Sequence, residues 1–349
     1  MAEVIGLIRR FLNIRGWSFY AHPSTMLPPS GLLRKYWRLM MNTMYFNSIL
    51  DDVARRRRLY EGQLFVYSPV PSSIALCQFA DELIRKAFGN LSPEKAQYSL
   101  PVEEYAAVLS RLKPLFINHP RSKECIQGIL SDFGCDLNKT YFDVPRMRTS
   151  TSDGYLTSGI AYAWHPHRDT WYSAPFCQIN WWLPIYEIES NDGVAFHPRY
   201  WSSPINNDSQ RYNYYEWNKV HRPNASQFLR EDPRPLPRPI EPVEMEPQVR
   251  PVCPVGGVIM FSGAQLHSSV PNNSGKTRFS IDFRTVHLDD LTAKAGAPNI
   301  DSHCTGTSVR DFLRASDLSR VPEEIVLLHD DDTAAANVGT LVYTPSEDV

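Results

Sequence analysis

His167 and Asp169 stand two apart in the run His165-Pro166-His167-Arg168-Asp169, and His267 follows one hundred residues later. In an extended chain, residues two apart face the same side, so His167 and Asp169 can converge on one ion while Arg168 points away. Two neutral imidazoles and one carboxylate are the donor set of a non-haem Fe(II) centre that keeps three coordination positions open. Arg278 lies eleven positions beyond His267 and opens the run Arg278-Phe279-Ser280-Ile281-Asp282-Phe283. A guanidinium at the start of such a strand can grip a dicarboxylate co-substrate with two parallel hydrogen bonds. His165 shares the parity of His167 and is a rival ligand. An H-x-H site without Asp169 would have to find its carboxylate further along, and the next acid after Asp169 is Glu187. The H-x-D assignment is therefore preferred.

Strands must position these residues. Gly256-Gly257 reads as a turn into a buried strand at 257–261, which delivers His267; a second turn, 272–276, leads into a strand at 278–286. Along that strand Arg278, Ser280, Asp282 and Arg284 share one face, and Phe279, Ile281 and Phe283 share the other. An arginine facing a barrel interior is costly unless an anion meets it, and an internal pair with Asp282 or another acid is the bland alternative. Further strands are expected at 142–151, 159–165, 176–186 and 194–197, so residues 141–287 read as a sandwich or closed barrel. The first 135 residues read as a mostly helical layer. One helix begins after Pro71 and ends at Gly89, and another spans 101–113, stopped by Pro114. Residues 199–254, aromatic and then proline-dense, are expected to form a lid or insert; Pro233-Arg234-Pro235-Leu236-Pro237 also looks like an extended ligand for a partner. Residues 288–349 form a C-terminal extension, expected to wrap the barrel or join a homo-oligomer contact.

Length and charge limit the alternatives. The chain has 349 residues with 36 basic and 38 acidic side chains, a net charge of −2. That balance gives no footprint for nucleic acid or an anionic membrane. The basic run Arg55–Arg58 is expected to be a solvated helix end. Cys77, Cys125, Cys135, Cys177, Cys253 and Cys304 show no C-x-x-C spacing, which fits reduced thiols, and the apolar N-terminal stretch is too short for a membrane span. A cytoplasmic, soluble, single-domain protein over 1–349 is the expectation.

The H-x-D pair, the distal histidine and the arginine at this separation resemble the phytanoyl-CoA dioxygenase-like branch of the Fe(II)/2-oxoglutarate oxygenases over residues 141–287. The resemblance implies a mainly β fold with flanking helices around a double-stranded β-helix, or jelly-roll, core. It assigns the iron to His167, Asp169 and His267, and the distal carboxylate of 2-oxoglutarate to Arg278. Ser269, two places after the distal histidine, and Trp182 match family positions near that co-substrate; a core role for Trp182 is an equal alternative. Asn191-Asp192-Gly193-Val194-Ala195-Phe196-His197-Pro198 looks like a family strand and turn, lacks the glycine after Pro198, and makes His197 a structural or lid residue. The implied reaction consumes O2 and 2-oxoglutarate, releases succinate and CO2, and hydroxylates the substrate. With an acid at 169, halogenation is not implied; desaturation and cyclisation stay open.

The substrate is less legible. Arg146 and Arg148 share parity on the strand before the metal motif, and Tyr172 follows it closely. All three are candidates for contact with an acidic group, and the aromatics and amides of 199–254 suit a small polar metabolite. A non-catalytic jelly-roll binding module is the rival from another class.

Overall fold

The computed structural model describes residues 43–161 and 165–331, which belong to one compact unit. Among the described residues four helices come early: α1 (Asp52–Tyr60), α2 (Pro71–Phe88), α3 (Val102–Asn118) and α4 (Pro120–Asp132). The described strands, in chain order, are β1 (Met44–Phe46), which precedes α1, β2 (Leu64–Tyr67), between α1 and α2, β3 (Thr140–Phe142), β4 (Arg146–Ser150), β5 (Ile179–Pro184), β6 (Val194–Phe196), β7 (Val258–Ser262), β8 (His267–Ser269), β9 (Arg278–His287) and β10 (Leu313–Arg314). The large sheet runs β1-β2-β7-β5-β9-β3-β10, with β4 also paired to β9. A smaller sheet joins β6 to β8, extended by bridges from His167 to His267 and from Phe196 to Val249. The part of the chain described here is thus a sheet-rich sandwich with helices on one side.

Alternation along the strands assigns the two faces of the large sheet. Phe279, Ile281, Phe283, Trp181, Leu183 and Met260 face the helices and form one apolar cluster with Leu76, Ile84, Leu109 and Phe116. On the opposite face, Trp182, Ile259 and Phe261 meet Val194 and Phe196 of the small sheet. The strands at 142–151 and 159–165 are corrected. The first is broken by Asp143–Pro145 into β3 and β4, and Gly159–Ala161 is a 3-10 turn. The early layer also contains β1 and β2, which the helical reading overlooks.

Two expectations about the helices fail for tertiary reasons. α3 continues through Pro114 to Asn118. The break costs about 3 kcal/mol, since proline offers no N–H and crowds the preceding turn. Phe116 sits seven residues after Leu109 on the buried face, fully buried with its ring 6.2 Å from Phe79. Burial of such a side chain contributes about 1.5–3 kcal/mol and carries the helix past the proline. Arg55 and Arg56 are buried rather than solvated: Arg55 bonds Asp52 and the Phe133 carbonyl, and Arg56 reaches Asp290.

Segment 199–254 is built from short helical turns and irregular chain and supplies part of the cavity wall. Tyr212, Trp217, Arg222, Arg234 and Leu236 all line the large cavity described below. Arg234 is ion-paired with Asp232 and lies over the Trp217 ring, so Arg234 and Leu236 of the proline-rich run point inward while Pro233, Ile240 and Pro242 are exposed. Among the described residues of the extension, β10 pairs with β3. No helix of the described residues is long and apolar enough to cross a membrane.

Replacing Pro114 with alanine restores a donor inside α3, and is expected to raise unfolding stability by about 1–3 kcal/mol in urea melts. An unchanged or lowered stability would mean that the proline is built into this helix without strain.

Candidate metal centre

His167 and His267 come from segments one hundred residues apart and are joined by two reciprocal backbone hydrogen bonds, each 3.0 Å. In such an antiparallel pair the opposed side chains leave on the same face, and the ring centroids are 4.3 Å apart. Arg168 is extended, and Asp169 opens a short 3-10 turn, Asp169–Tyr172. Asp169 Oδ1 lies 3.6 Å from His167 Nε2 and 3.8 Å from His267 Nε2. Two imidazole nitrogens and one carboxylate oxygen therefore fall within 4.8 Å of one another, and all three residues are buried. The rival His165 is exposed and contributes its carbonyl to His167 Nδ1 at 2.7 Å.

The surroundings fix which atoms face inward. His267 Nδ1 bonds the Gln265 carbonyl at 2.9 Å, so both imidazoles hold a proton on Nδ1 and present the Nε2 lone pair. Burial, then the neighbouring His167, push His267 down to about 3, which keeps it neutral. Burial alone would raise Asp169, but its neighbours outweigh it, Arg284 being the fixed positive charge among them, and hold the carboxyl well below the usual range. Asp169 Oδ2 accepts from Asn180 at 2.8 Å and Gln178 at 3.0 Å, with Arg284 Nε at 3.6 Å; Oδ1 is left to face the imidazoles. Sequence reasoning missed Gln178 and Asn180. Their signal was polar side chains at alternate positions around an otherwise apolar strand.

Arg168 points away and locks the loop in place. It meets Asp301 and donates to the carbonyls of Ala264 at 2.7 Å and Tyr200 at 2.6 Å. Asp301 also accepts from Trp171 Nε1 at 2.7 Å and from the Ile205 amide at 3.0 Å. The Arg168–Asp301 pair thus ties the H-x-D loop, the turn before His267 and the start of segment 199–254. Gly263 lets that turn lie close: a Cβ there would stand 3.1 Å from Gln178 Nε2 and 3.5 Å from Asp169 Cβ.

A cavity of about 680 Å³ opens from this triad and is lined by Arg278, Ser269, Trp182, Tyr172, Arg146 and Arg148 among others. Arg278 is buried, bonds Ser280 Oγ at 2.9 Å, and leaves its Nε without a hydrogen-bond partner. No carboxylate of the described residues is within ion-pair distance of it; Asp282 is taken by Arg148 and Arg284. Burial lowers Arg278 to about 10, partly offset by Asp192 and Asp282. Trp182 is in the apolar core and also lies 5.6 Å from the Arg278 guanidinium. Tyr172 sets its ring edge-on to His167, 5.5 Å between centroids, and donates to the Pro237 carbonyl at 3.1 Å. Arg146 is paired with Asp143 and Arg148 with Asp282, so each already has a carboxylate. His197 is buried and bonds Ser268 Oγ at 3.0 Å and the Met245 carbonyl at 3.1 Å.

No family model matches the chain, and no curated protein matches it. Solved structures do match. EvdO2 from Micromonospora carbonacea var. aurantiaca is 14% identical with a TM-score of 0.31, over 50% of this chain and 62% of that one, and has also been solved with 2-oxoglutarate. The match therefore spans less than two thirds of EvdO2. SnoN from nogalamycin biosynthesis, described as a non-heme alpha ketoglutarate dependent epimerase, is 12% identical with a TM-score of 0.32, over 68% of this chain and 84% of that one. A second SnoN structure holds Fe3+, alpha ketoglutarate and nogalamycin RO. AviO1 from Streptomyces viridochromogenes Tue57 is 14% identical with a TM-score of 0.34, over 72% of this chain and 99% of that one.

Two outcomes follow from the geometry. Asp301→Ala strands the buried Arg168 charge and should lower unfolding stability by about 3–5 kcal/mol, read in chemical melts; a loss under 1 kcal/mol would show that the carbonyls alone satisfy Arg168. Asn180→Ala should keep the fold, by circular dichroism, yet weaken divalent-metal affinity by about 10–100-fold in a competitive titration. Unchanged affinity would remove Asn180 from the support of Asp169.

Proposed function

We propose that this chain is an Fe(II)- and 2-oxoglutarate-dependent dioxygenase of the phytanoyl-CoA dioxygenase-like kind, hydroxylating a small polar organic metabolite. The observation that carries the reading is the convergence of His167, Asp169 and His267 in one cavity with a buried arginine that has no carboxylate of its own. The strand order supports a double-stranded β-helix: β4-β9-β5-β7 on one side, and the His167 segment, β8, β6 and Val249 on the other. Six free cysteines suit a reducing compartment, and we place the protein in the cytoplasm.

The residues present fit both groups. Two neutral imidazoles and a carboxylate, each oriented by a second hydrogen bond, suit Fe(II), and the unsatisfied Arg278 Nε marks a place for an anion. His167 Nε2, His267 Nε2 and Asp169 Oδ1 would hold the metal. Arg278 would hold the distal carboxylate of 2-oxoglutarate, with Trp182 beside the guanidinium and Ser269 on the same cavity wall. When bound, Fe(II), 2-oxoglutarate and O2 supply the oxidation, with succinate and CO2 as by-products. The chain supplies orientation and dryness. Gln178, Asn180 and Arg284 fix the Asp169 carboxylate, and Tyr172 and Tyr212 close the cavity beneath the 199–254 segment. The same residues would serve desaturation or cyclisation, which product analysis separates.

Anaerobic addition of Fe(II) and 2-oxoglutarate to the apo-protein should produce the visible metal-to-ligand charge-transfer band. His267→Ala is expected to abolish it, and Arg278→Ala to raise the 2-oxoglutarate concentration needed for it by about tenfold or more. No band in folded, metal-loaded wild type would overturn the reading.

A further inference from the structure

Charge inside the cavity is not balanced by the protein. Asp143 serves Arg146 and Arg284, and Asp282 serves Arg148 and Arg284. Arg234 has Asp232. Two further cations line the same cavity, Lys113 from α3 and Arg222 from the lid segment. Neither has a carboxylate of the described residues within ion-pair distance. Lys113 donates to the Ile160 carbonyl, and Arg222 has Asn218 Oδ1 at 3.3 Å. Of the other carboxylates of the lining, Asp169 belongs to the metal triad and Asp311 accepts from the Tyr214 hydroxyl.

Lys113 and Arg222 belong to one neighbourhood. α3 packs against the turn 222–227, and also against β4, which carries Arg146 and Arg148. Burial first, then Arg148, lower Lys113 to about 7, with Asp282 opposing; burial, then Arg146, lower Arg222 to about 10, with Tyr214 and Asp311 opposing. Lys113 and Arg222 thus stand with Arg146 and Arg148 along one side of the cavity, half-buried, with two carboxylates pledged to the β4 pair. Like charges partly withdrawn from water gain from an anion that joins them.

We propose that this side of the cavity binds an anionic group of the substrate, carboxylate or phosphate, with Lys113 and Arg222 as its counter-charges and Arg146 and Arg148 as the frame behind them. The assignment deepens the oxygenase reading and rests on it for the identity of the ligand as substrate. Arg222 is supplied by the lid segment, so an anion here also ties that segment to α3 and to the sheet.

The test is calorimetric titration of inorganic phosphate, and separately of benzoate, into protein loaded anaerobically with Fe(II) and 2-oxoglutarate, so that Arg278 is already engaged. At least one probe should bind saturably, weaken with added salt, and lose about tenfold or more in affinity in Arg222→Gln and in Lys113→Gln. Arg222→Lys keeps the charge and should restore much of the binding. The probe that saturates tells a phosphate from a carboxylate group. No saturable binding of either, or equal binding by both Gln variants, overturns the proposal; reading two variants keeps one decisive if the other fails to fold. The charge-transfer band is recorded on the same samples. A band without anion binding sinks the anion site alone, and anion binding without a band sinks the oxygenase reading alone.

Discussion

The centre depends on one contact, the reciprocal backbone hydrogen bonds between His167 and His267. Two residues one hundred apart cannot be brought to a ring separation of 4.3 Å by local structure. The closure must be carried by the sheets, where β5 and β7 pair in register from Ile179–Ser262 to Trp182–Ile259. Once those strands are paired, the turn from Gly263 to Leu266 has little freedom. It accepts the Asp169 amide on the Gly263 carbonyl at 2.8 Å and meets Arg168 through the Ala264 carbonyl. The third donor is thus positioned by the same turn that delivers the second histidine. Displacing that turn moves all three.

The large sheet divides stability from chemistry between its faces. Its outer face is Phe279, Ile281, Phe283 and Trp181 against helices, a packed apolar layer that holds the strands in register. Because side chains alternate, the same strands can present Arg278, Asp282, Arg284, Asn180 and Trp182 on the inner face without disturbing that layer. A polar inner face cannot collapse into a core, since each buried charge must find a partner first. What results is a cavity. Arg284 shows how closely the partners are shared: burial would lower it, but Asp282, Asp143 and Asp169 together hold it firmly charged. The arginine beside Asp169 is therefore coupled to the wall of the large cavity.

Sequence periodicity reached the parts of this arrangement that are local. Parity predicted that His167 and Asp169 face together and Arg168 away, and it separated the two faces of β9. The turn glycines and the apolar run at 258–261 placed the strand before His267. What parity could not supply was partnership across the fold. Arg148 meets Asp282 across 134 residues, Arg56 meets Asp290 across 234, and Arg168 meets Asp301 across 133. Each of these arginines looks like surface charge or a ligand contact until its carboxylate is known. Pro114 failed as a stop signal for a related reason, because burial of Phe116 is a tertiary gain that no local rule counts. Within segment 199–254, the inward position of Arg234 depends on its finding Asp232 and the Trp217 ring, which no local pattern announces.

An interior built this way is incomplete without its ligands. Arg278 has a buried nitrogen with no acceptor, and Lys113 and Arg222 are lowered by burial and by neighbouring cations. These are costs borne by the folded chain alone. An anion that meets them removes the cost in the folded state and has nothing comparable to meet in the unfolded one, so binding and stability are linked in the same direction. Segment 199–254 shares in that linkage, because Arg222 and the Pro237 carbonyl that accepts from Tyr172 both lie within it. An anion on this side of the cavity would meet Arg222 of that segment and Lys113 of α3 together, and so couple both to the inner face of the sheet.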